Sequence, residues 1–355
     1  MTVRQDPDGG GVDAMRAITY QQLGDPSVLE LVECPVPEPG EGELRIRVRA
    51  SGVNPTDWKS RSGTTGGAVA EATVPNHDGA GVVDKLGAGV AGFSVGDHVW
   101  VTLAGYARPA SGTAQEYTVV PAERVFPLPD TADFELGASI GIPAVTAHRA
   151  LTVAEDGPDR LHPDALAGRV VLVAGGAGAV GNAAIQLARW AGATVIATVS
   201  GDAKAKLAAA AGAHHVFSYK ESDAPARIRD VAVTGADVIV EVAAGANAEL
   251  DQAVLRTRGT ISIYANDGGV PFTLDVRRNM GLNSRYQFVL VYTVGWELIA
   301  AAAADVNRAI EDGAFRVGEH AGLPLHRFSL EDAPAAHAAV ESGAVGKVLI
   351  TVATG

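Results

Sequence analysis

The chain has 355 residues, 47% of them hydrophobic and 19% charged, with a formal net charge of −13. Such a composition is globular rather than disordered and leaves ample chain for one oversized or two ordinary domains. The negative charge argues against nucleic acid or an anionic membrane as a main partner, and the single cysteine, Cys34, excludes a disulfide framework or a cysteine-rich metal site and fits a reducing cytoplasm. Residues 1–14 are polar and glycine-rich, which predicts a loose tail rather than a signal peptide. The apolar run Ile299 to Ala304 is far short of the ~20 residues that a membrane helix needs.

From Met15 the pattern is one of strands and turns. Glu43 to Ala50 alternates polar and apolar, the mark of a half-buried strand of an antiparallel sheet or barrel. Gly79 to Asp84, His98 to Val101 and Glu116 to Val120 predict further strands, and Pro127 to Asp130 closes this region. Helices begin at about Phe134. The run Val170 to Ala174 is apolar throughout, as in a parallel strand covered on both faces. Gly176-x-Gly178-x-x-Gly181 follows, and a small-residue helix opens from Ala183. In that setting the glycines read as a dinucleotide fingerprint, with the backbone amides of Gly176, Ala177, Gly178, Ala179, Val180 and Gly181 facing a pyrophosphate. Gly176 is expected to make the turn. Beyond it come strands at Thr194–Val199, His215–Ser218, Asp237–Glu241, Gly259–Tyr264 and Gln287–Tyr292, with a helix over Lys204–Ala211. Together with Val170–Ala174 these six strands predict one doubly wound parallel α/β sheet. Two helices, Trp296–Glu311 and Ala333–Ser342, and a last strand, Lys347–Thr351, are too few for a separate domain and are expected to return to the N-terminal one.

A β-rich start, a Rossmann middle and a short C-terminal return resemble the medium-chain dehydrogenase/reductase superfamily. Within it the chain resembles the zinc-free quinone oxidoreductases of the zeta-crystallin type. The resemblance rests on Ser51-Gly52-Val53-Asn54-Pro55-Thr56-Asp57-Trp58-Lys59, on Gly96-Asp97-His98-Val99, on Gly141 to Leu151 and on the glycine turn. It implies a Rossmann NADP(H)-binding domain at 141–292 and a GroES-like β-barrel catalytic domain formed by 15–140 and 293–355. The implied activity is NADPH-dependent transfer of hydride to a quinone.

Zinc-dependent relatives hold their metal with a Cys, a His-Glu pair and a second Cys. Asn54, His77-Asp78 and Ile142 stand at the matching places. The thiolates are missing, so no metal is expected. Without a Lewis acid, an electron-poor acceptor suits the site better than an alcohol. For the cofactor, the second strand ends Thr198-Val199-Ser200-Gly201 with no acid before Asp202, which favours NADP over NAD. The resemblance puts Ser200, Lys204 and Tyr219 around the 2′-phosphate.

The resemblance also places Thr146 against the nicotinamide and Asn54 near both ring and substrate. Asn54 offers an amide and Thr146 a hydroxyl able to orient a carbonyl. Asn247, Tyr264-Ala265-Asn266 and Phe288-Val289-Leu290 match cofactor contacts, the last two groups on the nicotinamide side. Lys59 stands where many members have a Tyr, and either Lys59 or water is expected to deliver the proton. An enone, alkenal or enoyl-thioester reductase on the same fold is the rival enzyme reading, and an NADPH-binding sensor the non-enzyme one. A short-chain dehydrogenase is excluded because no Tyr is followed by Lys four residues on. A homodimer is expected through the apolar edge strand Gln287–Tyr292.

Overall fold

The computed structural model describes residues 13–66 and 68–352, so residues 1–12 of the expected tail lie outside the described residues. Ala14, the last of that tail, already opens a strand. Strands dominate the first third: β1 (Ala14–Thr19), β2 (Glu30–Pro35), β3 (Glu43–Val53), β4 (Asp78–Leu86), β5 (His98–Val101), β6 (Tyr117–Pro121) and β7 (Val125–Pro127). One helix interrupts them, α1 (Pro55–Ser62), directly after β3. Asn54 was expected there only as a site residue. Asn at the cap, Pro in the first turn and an acid three residues after the cap are what start a helix at this point.

Helix α2 (Phe134–Leu151) is the spine of the molecule. It is buried nearly all round, as expected of a helix packed on both sides. The strand–helix units follow: β8 (Val170–Ala174), α3 (Ala179–Trp190), β9 (Thr194–Val199), α4 (Asp202–Ala210), β10 (His215–Ser218), α5 (Ala224–Val231), β11 (Ala236–Glu241), α6 (Ala244–Val254), β12 (Leu255–Ile263), α7 (Val276–Leu282) and β13 (Arg285–Phe288). The chain ends with α8 (Trp296–Glu311), β14 (Leu325–Ser329), α9 (Ala333–Glu341) and β15 (Lys347–Thr351).

Strands β8 to β13 make one parallel sheet in the order β10-β9-β8-β11-β12-β13. This is the doubly wound Rossmann arrangement, with its crevice where the order reverses between β8 and β11. The sixth strand is shorter than expected: β13 ends at Phe288, and Val291–Thr293 form a turn of 3₁₀-helix instead. A seven-stranded sheet in the order β14-β15-β3-β4-β5-β7, with β6 also on β3, carries the other half. There β15 lies antiparallel to β3, Val348 opposite Val53, so the chain's last strand completes a sheet begun some 300 residues earlier. One large core, holding Trp100, Ile140, Val145, Val173 and Val306, runs from this sheet through α2 into the Rossmann half. No described helix is long and apolar enough to cross a membrane.

Helix α2 is pinned to α8 by Asp305. Its carboxylate sits 2.7 Å from His148 Nε2, pairs with the Arg160 guanidinium, and accepts the Leu161 N–H at 2.8 Å. Burial pushes this carboxyl up, but the hydrogen bonds from His148, Arg160 and Leu161 prevail and hold it at about 2. The unfolded carboxyl titrates near 3.8, so the stabilisation by ionised Asp305 is complete above that pH and is lost as pH falls toward 2. Asp305→Asn is therefore expected to lower the unfolding free energy by about 2 kcal/mol at neutral pH. In thermal unfolding, its gap from the parent should close as the pH drops below about 4.

Candidate active site

The end of β3, the start of β4, the middle of α2 and the start of β15 meet at one buried charge cluster. Asp78, fully buried, opens β4. Its carboxylate accepts the Asn54 side-chain amide at 2.7 Å, the Thr102 hydroxyl at 3.1 Å and the Ile142 backbone N–H at 2.9 Å. Lys347, 1% exposed at the start of β15, stands 3.8 Å from Asp78 and donates to the Asn54 carbonyl oxygen at 2.7 Å. Burial raises Asp78, and Lys347 and the donors work against that. Burial likewise lowers Lys347, opposed by Asp78 and Asp57. The carboxylate approaches α2 this closely only because residue 141 is glycine: a Cβ there would lie 2.1 Å from Asp78 Oδ1.

A second buried carboxyl lies beside the first. Asp57, in the first turn of α1, accepts the Asn54 backbone N–H at 2.6 Å through Oδ2, closing the helix start. Its Oδ1 is buried without a hydrogen-bond partner, as is Nδ1 of His77, and His77 Nε2 lies 4.0 Å from that Oδ1. Asp57 and His77 line a cavity of about 410 Å³. Tyr292 and Tyr106 form an aromatic wall there, with the Tyr292 ring edge-on to His77 at 5.5 Å and 5.1 Å from Tyr106. The Tyr292 hydroxyl donates to Thr56 at 2.9 Å.

The neighbouring cavity, about 670 Å³, brings together Tyr264, Ala265 and Asn266 at the end of β12 with Phe288, Val289 and Leu290 beyond β13. Leu290 and Thr293 line both cavities, so the two are contiguous. Phe288 and Leu290 are exposed and Val289 is buried. Thr146, 6% exposed, lies one helical turn beyond Ile142 on the same face of α2, and Arg149 farther along lines the larger cavity.

At the crevice between β8 and β11, α3 begins at Ala179, four residues earlier than expected, with Gly178 as its cap and no side chain closing it. The first N–H groups of a helix have no partner inside it, so the first-turn amides from Ala179 onward are available to an anion. The left-handed turn residue is Gly175 (φ 68°), not Gly176 as the pattern suggested. Gly176 instead packs under the strands, and Gly181 is required because a Cβ would lie 2.3 Å from the Gly175 carbonyl. Gly178 is exposed, and a Cβ there would meet only the Gly175 carbonyl oxygen at 3.5 Å, which leaves its outer side free for a pyrophosphate. Half-buried Ser200 and Lys204 flank the end of β9. Tyr219 joins them there, its N–H bonded to the Val199 carbonyl at 3.1 Å and its side chain exposed. None of the ion pairs among the described residues involves Lys204.

Other expected residues are occupied otherwise. The Asn247 amide donates to both oxygens of buried Glu241, at 3.0 and 3.1 Å. Asn266 accepts the Gly245 N–H and donates to the Val270 carbonyl, holding its own loop. Lys59 lines neither cavity; its ammonium stands 3.9 Å from Asp267 across the cleft. Asp57 and Lys347 were not foreseen. Asp57 carries a readable signal, as the acid three residues after Asn54 in a capping box. Lys347 carries none, since a Lys opening an apolar strand reads as a solvated flank.

Zinc does not fit the donors present. Asn54 and Asp78 are bonded to each other, Ile142 offers only its backbone, and a cation, Lys347, already stands beside the carboxylate. Among the described residues no group of three or more His, Cys, Asp or Glu is placed to hold a metal.

Two family models match the chain: an alcohol dehydrogenase GroES-like domain over residues 40–130 and a zinc-binding dehydrogenase over residues 179–305. A quinone oxidoreductase of Lama guanicoe is 34% identical over 96% of this chain and 98% of its own length. Among solved structures, a mycobacterial protein complexed with NADPH is 30% identical with a TM-score of 0.78, covering 95% of this chain and 100% of its own. An Escherichia coli quinone oxidoreductase complexed with NADPH is 25% identical with a TM-score of 0.78, again covering 95% of this chain and all of its own.

Lys347→Met strips Asp78 of the cation beside it and is expected to cost about 3–5 kcal/mol. Adding Asp78→Asn removes the stranded charge, so the double variant should be more stable in denaturant unfolding than the lysine variant alone. Equal or lower stability of the double variant would show that the pair is not coupled.

Proposed function

The chain belongs to the quinone oxidoreductase family of the medium-chain dehydrogenases/reductases, and from that premise we propose that it reduces a quinone with NADPH and without zinc. The observation that carries this reading is the pair of contiguous cavities: the larger adjoins the Rossmann strand ends, the smaller has aromatic walls suited to a flat conjugated ring. NADPH, when bound, supplies the hydride. The free first-turn amides of α3, Ala179 to Gly181, hold its pyrophosphate, with Gly176, Ala177 and Gly178 shaping the turn beneath it. The Gly176 and Gly178 N–H groups are spent on the Thr198 and Gly175 carbonyls rather than open to a phosphate as the pattern suggested. Lys204, Ser200 and Tyr219 receive the 2′-phosphate at the end of β9, where an acid would repel it. Tyr264, Ala265, Asn266, Phe288, Val289 and Leu290 enclose the nicotinamide side, and Asn247 borders it. Thr146 and Asn54 line neither cavity, and the Asn54 amide, expected to orient the acceptor, is instead bonded to Asp78 and Lys347. Both therefore support the site from behind its walls, while positioning and hydrogen bonds do the work a Lewis acid does in the zinc enzymes.

In this reading residues 141–292 bind the cofactor, and 15–140 with 293–355 form the catalytic half. The protein acts in the cytoplasm as a homodimer. Strand β13 is an unpaired edge, and Val276, Met280, Phe288 and Leu290 expose apolar side chains beside it. A sedimentation mass of two chains is expected, and a mass of one chain excludes the pairing.

The direct test is NADPH oxidation with a quinone, an enone and an alkenal as acceptors. Turnover is expected with the quinone. Inertness toward all three with intact NADPH binding would favour the sensor reading. Lys204→Glu should weaken NADPH by at least about tenfold, or 1.4 kcal/mol, in a fluorescence titration while changing NADH less.

A further inference from the structure

The reduction of a quinone consumes a proton as well as a hydride, and Lys59 faces Asp267 rather than either cavity. The smaller cavity holds a better source. We propose that Asp57 and His77 are the pair of hydrogen-bond donors that holds the reacting oxygen, with Asp57 supplying the proton. This inference rests on the quinone-reductase reading above and adds a catalytic role that the family resemblance did not assign.

The geometry is specific. Asp57 Oδ1 and His77 Nε2 are 4.0 Å apart, too far for a direct hydrogen bond. An acceptor oxygen drawn about 2.8 Å from each would make two bonds about 90° apart, as in an oxyanion site. Asp57 Oδ1 is buried and unpartnered, and both side chains line the cavity.

Charge balance makes Asp57 the acid. Two buried carboxyls share one buried cation. Lys347 stands by Asp78, which also accepts Asn54, Thr102 and Ile142. Asp57 accepts the Asn54 N–H at Oδ2 and is also stabilised by the His77 backbone N–H, fewer donors than Asp78 has, and its Oδ1, without a hydrogen-bond partner, is left to carry the proton. Burial, reinforced by Asp78 and opposed by the Asn54 N–H and Lys347, raises Asp57 to about 8. The remaining titratable groups facing it are His77, Tyr20 from the turn after β1, and Tyr292. Burial and the charge of Arg124 lower His77 to about 4, so the imidazole is neutral, and the role assigned to it requires its proton on Nε2. A neutral carboxylic acid acting as donor in an apolar setting has precedent in general enzyme chemistry.

Atoms and electrons balance. The quinone takes two electrons and one hydrogen as the hydride of NADPH, which becomes NADP⁺. The Asp57 Oδ1–H bond breaks, an O–H bond forms on the hydroquinone, and the carboxylate regains its proton from water. The donor form of Asp57 is present below pH 8 and is lost as pH rises through it.

The test uses the full chain loaded with NADPH. In the parent, kcat/KM for a soluble benzoquinone should fall about tenfold per pH unit above the Asp57 pKa. Asp57→Asn, which keeps an acceptor for the Asn54 N–H, should bind NADPH as the parent does, lose about 100-fold in kcat/KM and lose that alkaline limb. As a readout independent of turnover, quinone added to the NADP⁺-loaded parent should shift an infrared carboxylic-acid C=O band that is absent from the variant. An unchanged profile in Asp57→Asn, or no such band in the parent, overturns the inference while leaving quinone reduction standing. If the parent instead turns over only the enone and Asp57→Asn abolishes its alkaline limb, the donor pair stands and the quinone reading fails.

Discussion

One buried ammonium group has to serve two buried carboxyls. Lys347, Asp78 and Asp57 are all nearly inaccessible to water, and an uncompensated charge at that depth costs several kcal/mol. The arrangement resolves this by giving Asp78 the cation and most of the donors, which leaves Asp57 as a neutral acid. Everything around the site follows from that division. The amide of Asn54 bridges the lysine and Asp78 and is thereby held in one orientation. Helix α2 gives up the Ile142 N–H to the same carboxylate, and glycine at 141 permits the approach.

The same cluster ties the chain's distant parts together. Lys347 reaches the site only because β15 returns to pair with β3, so completing the seven-stranded sheet and neutralising Asp78 are one event. On its far side α2 continues through Thr146 to Arg149, which lines the cavity at the Rossmann strand ends. A single buried helix thus carries both the charge cluster and part of the cofactor-side wall. In zinc-dependent relatives a divalent ion occupies the corresponding place. Here a lysine contributed from the opposite end of the sequence places a positive charge beside Asp78.

Much of the fold was legible because its signals are local. Apolar runs such as Val170–Ala174 and Thr194–Val199 mark parallel strands by composition alone, and the glycine pattern after the first marks the crevice. The tertiary detail was less accessible. Gly175 makes the left-handed turn while Gly176 packs against Ala197, Ile185 and Ala208, a contact of the turn with a strand and two helices that lie farther along the chain. Strand β13 stops at Phe288 because the chain curls into a 3₁₀ turn that brings Tyr292 against His77 and Tyr106, which alternation of residue types does not reveal. Of the site, Asn54 and Thr146 were expected through the family likeness. Lys347 was invisible, since its burial depends on the pairing of two strands at opposite ends of the chain.

The division of charge among Lys347, Asp78 and Asp57 is open to direct observation by neutron diffraction from deuterated crystals at pH 7. Three deuterons on Lys347 Nζ, none on Asp78 and one on Asp57 Oδ1 are the expected result. A deuteron on Asp78, or both carboxyls bare, would contradict the account at its root.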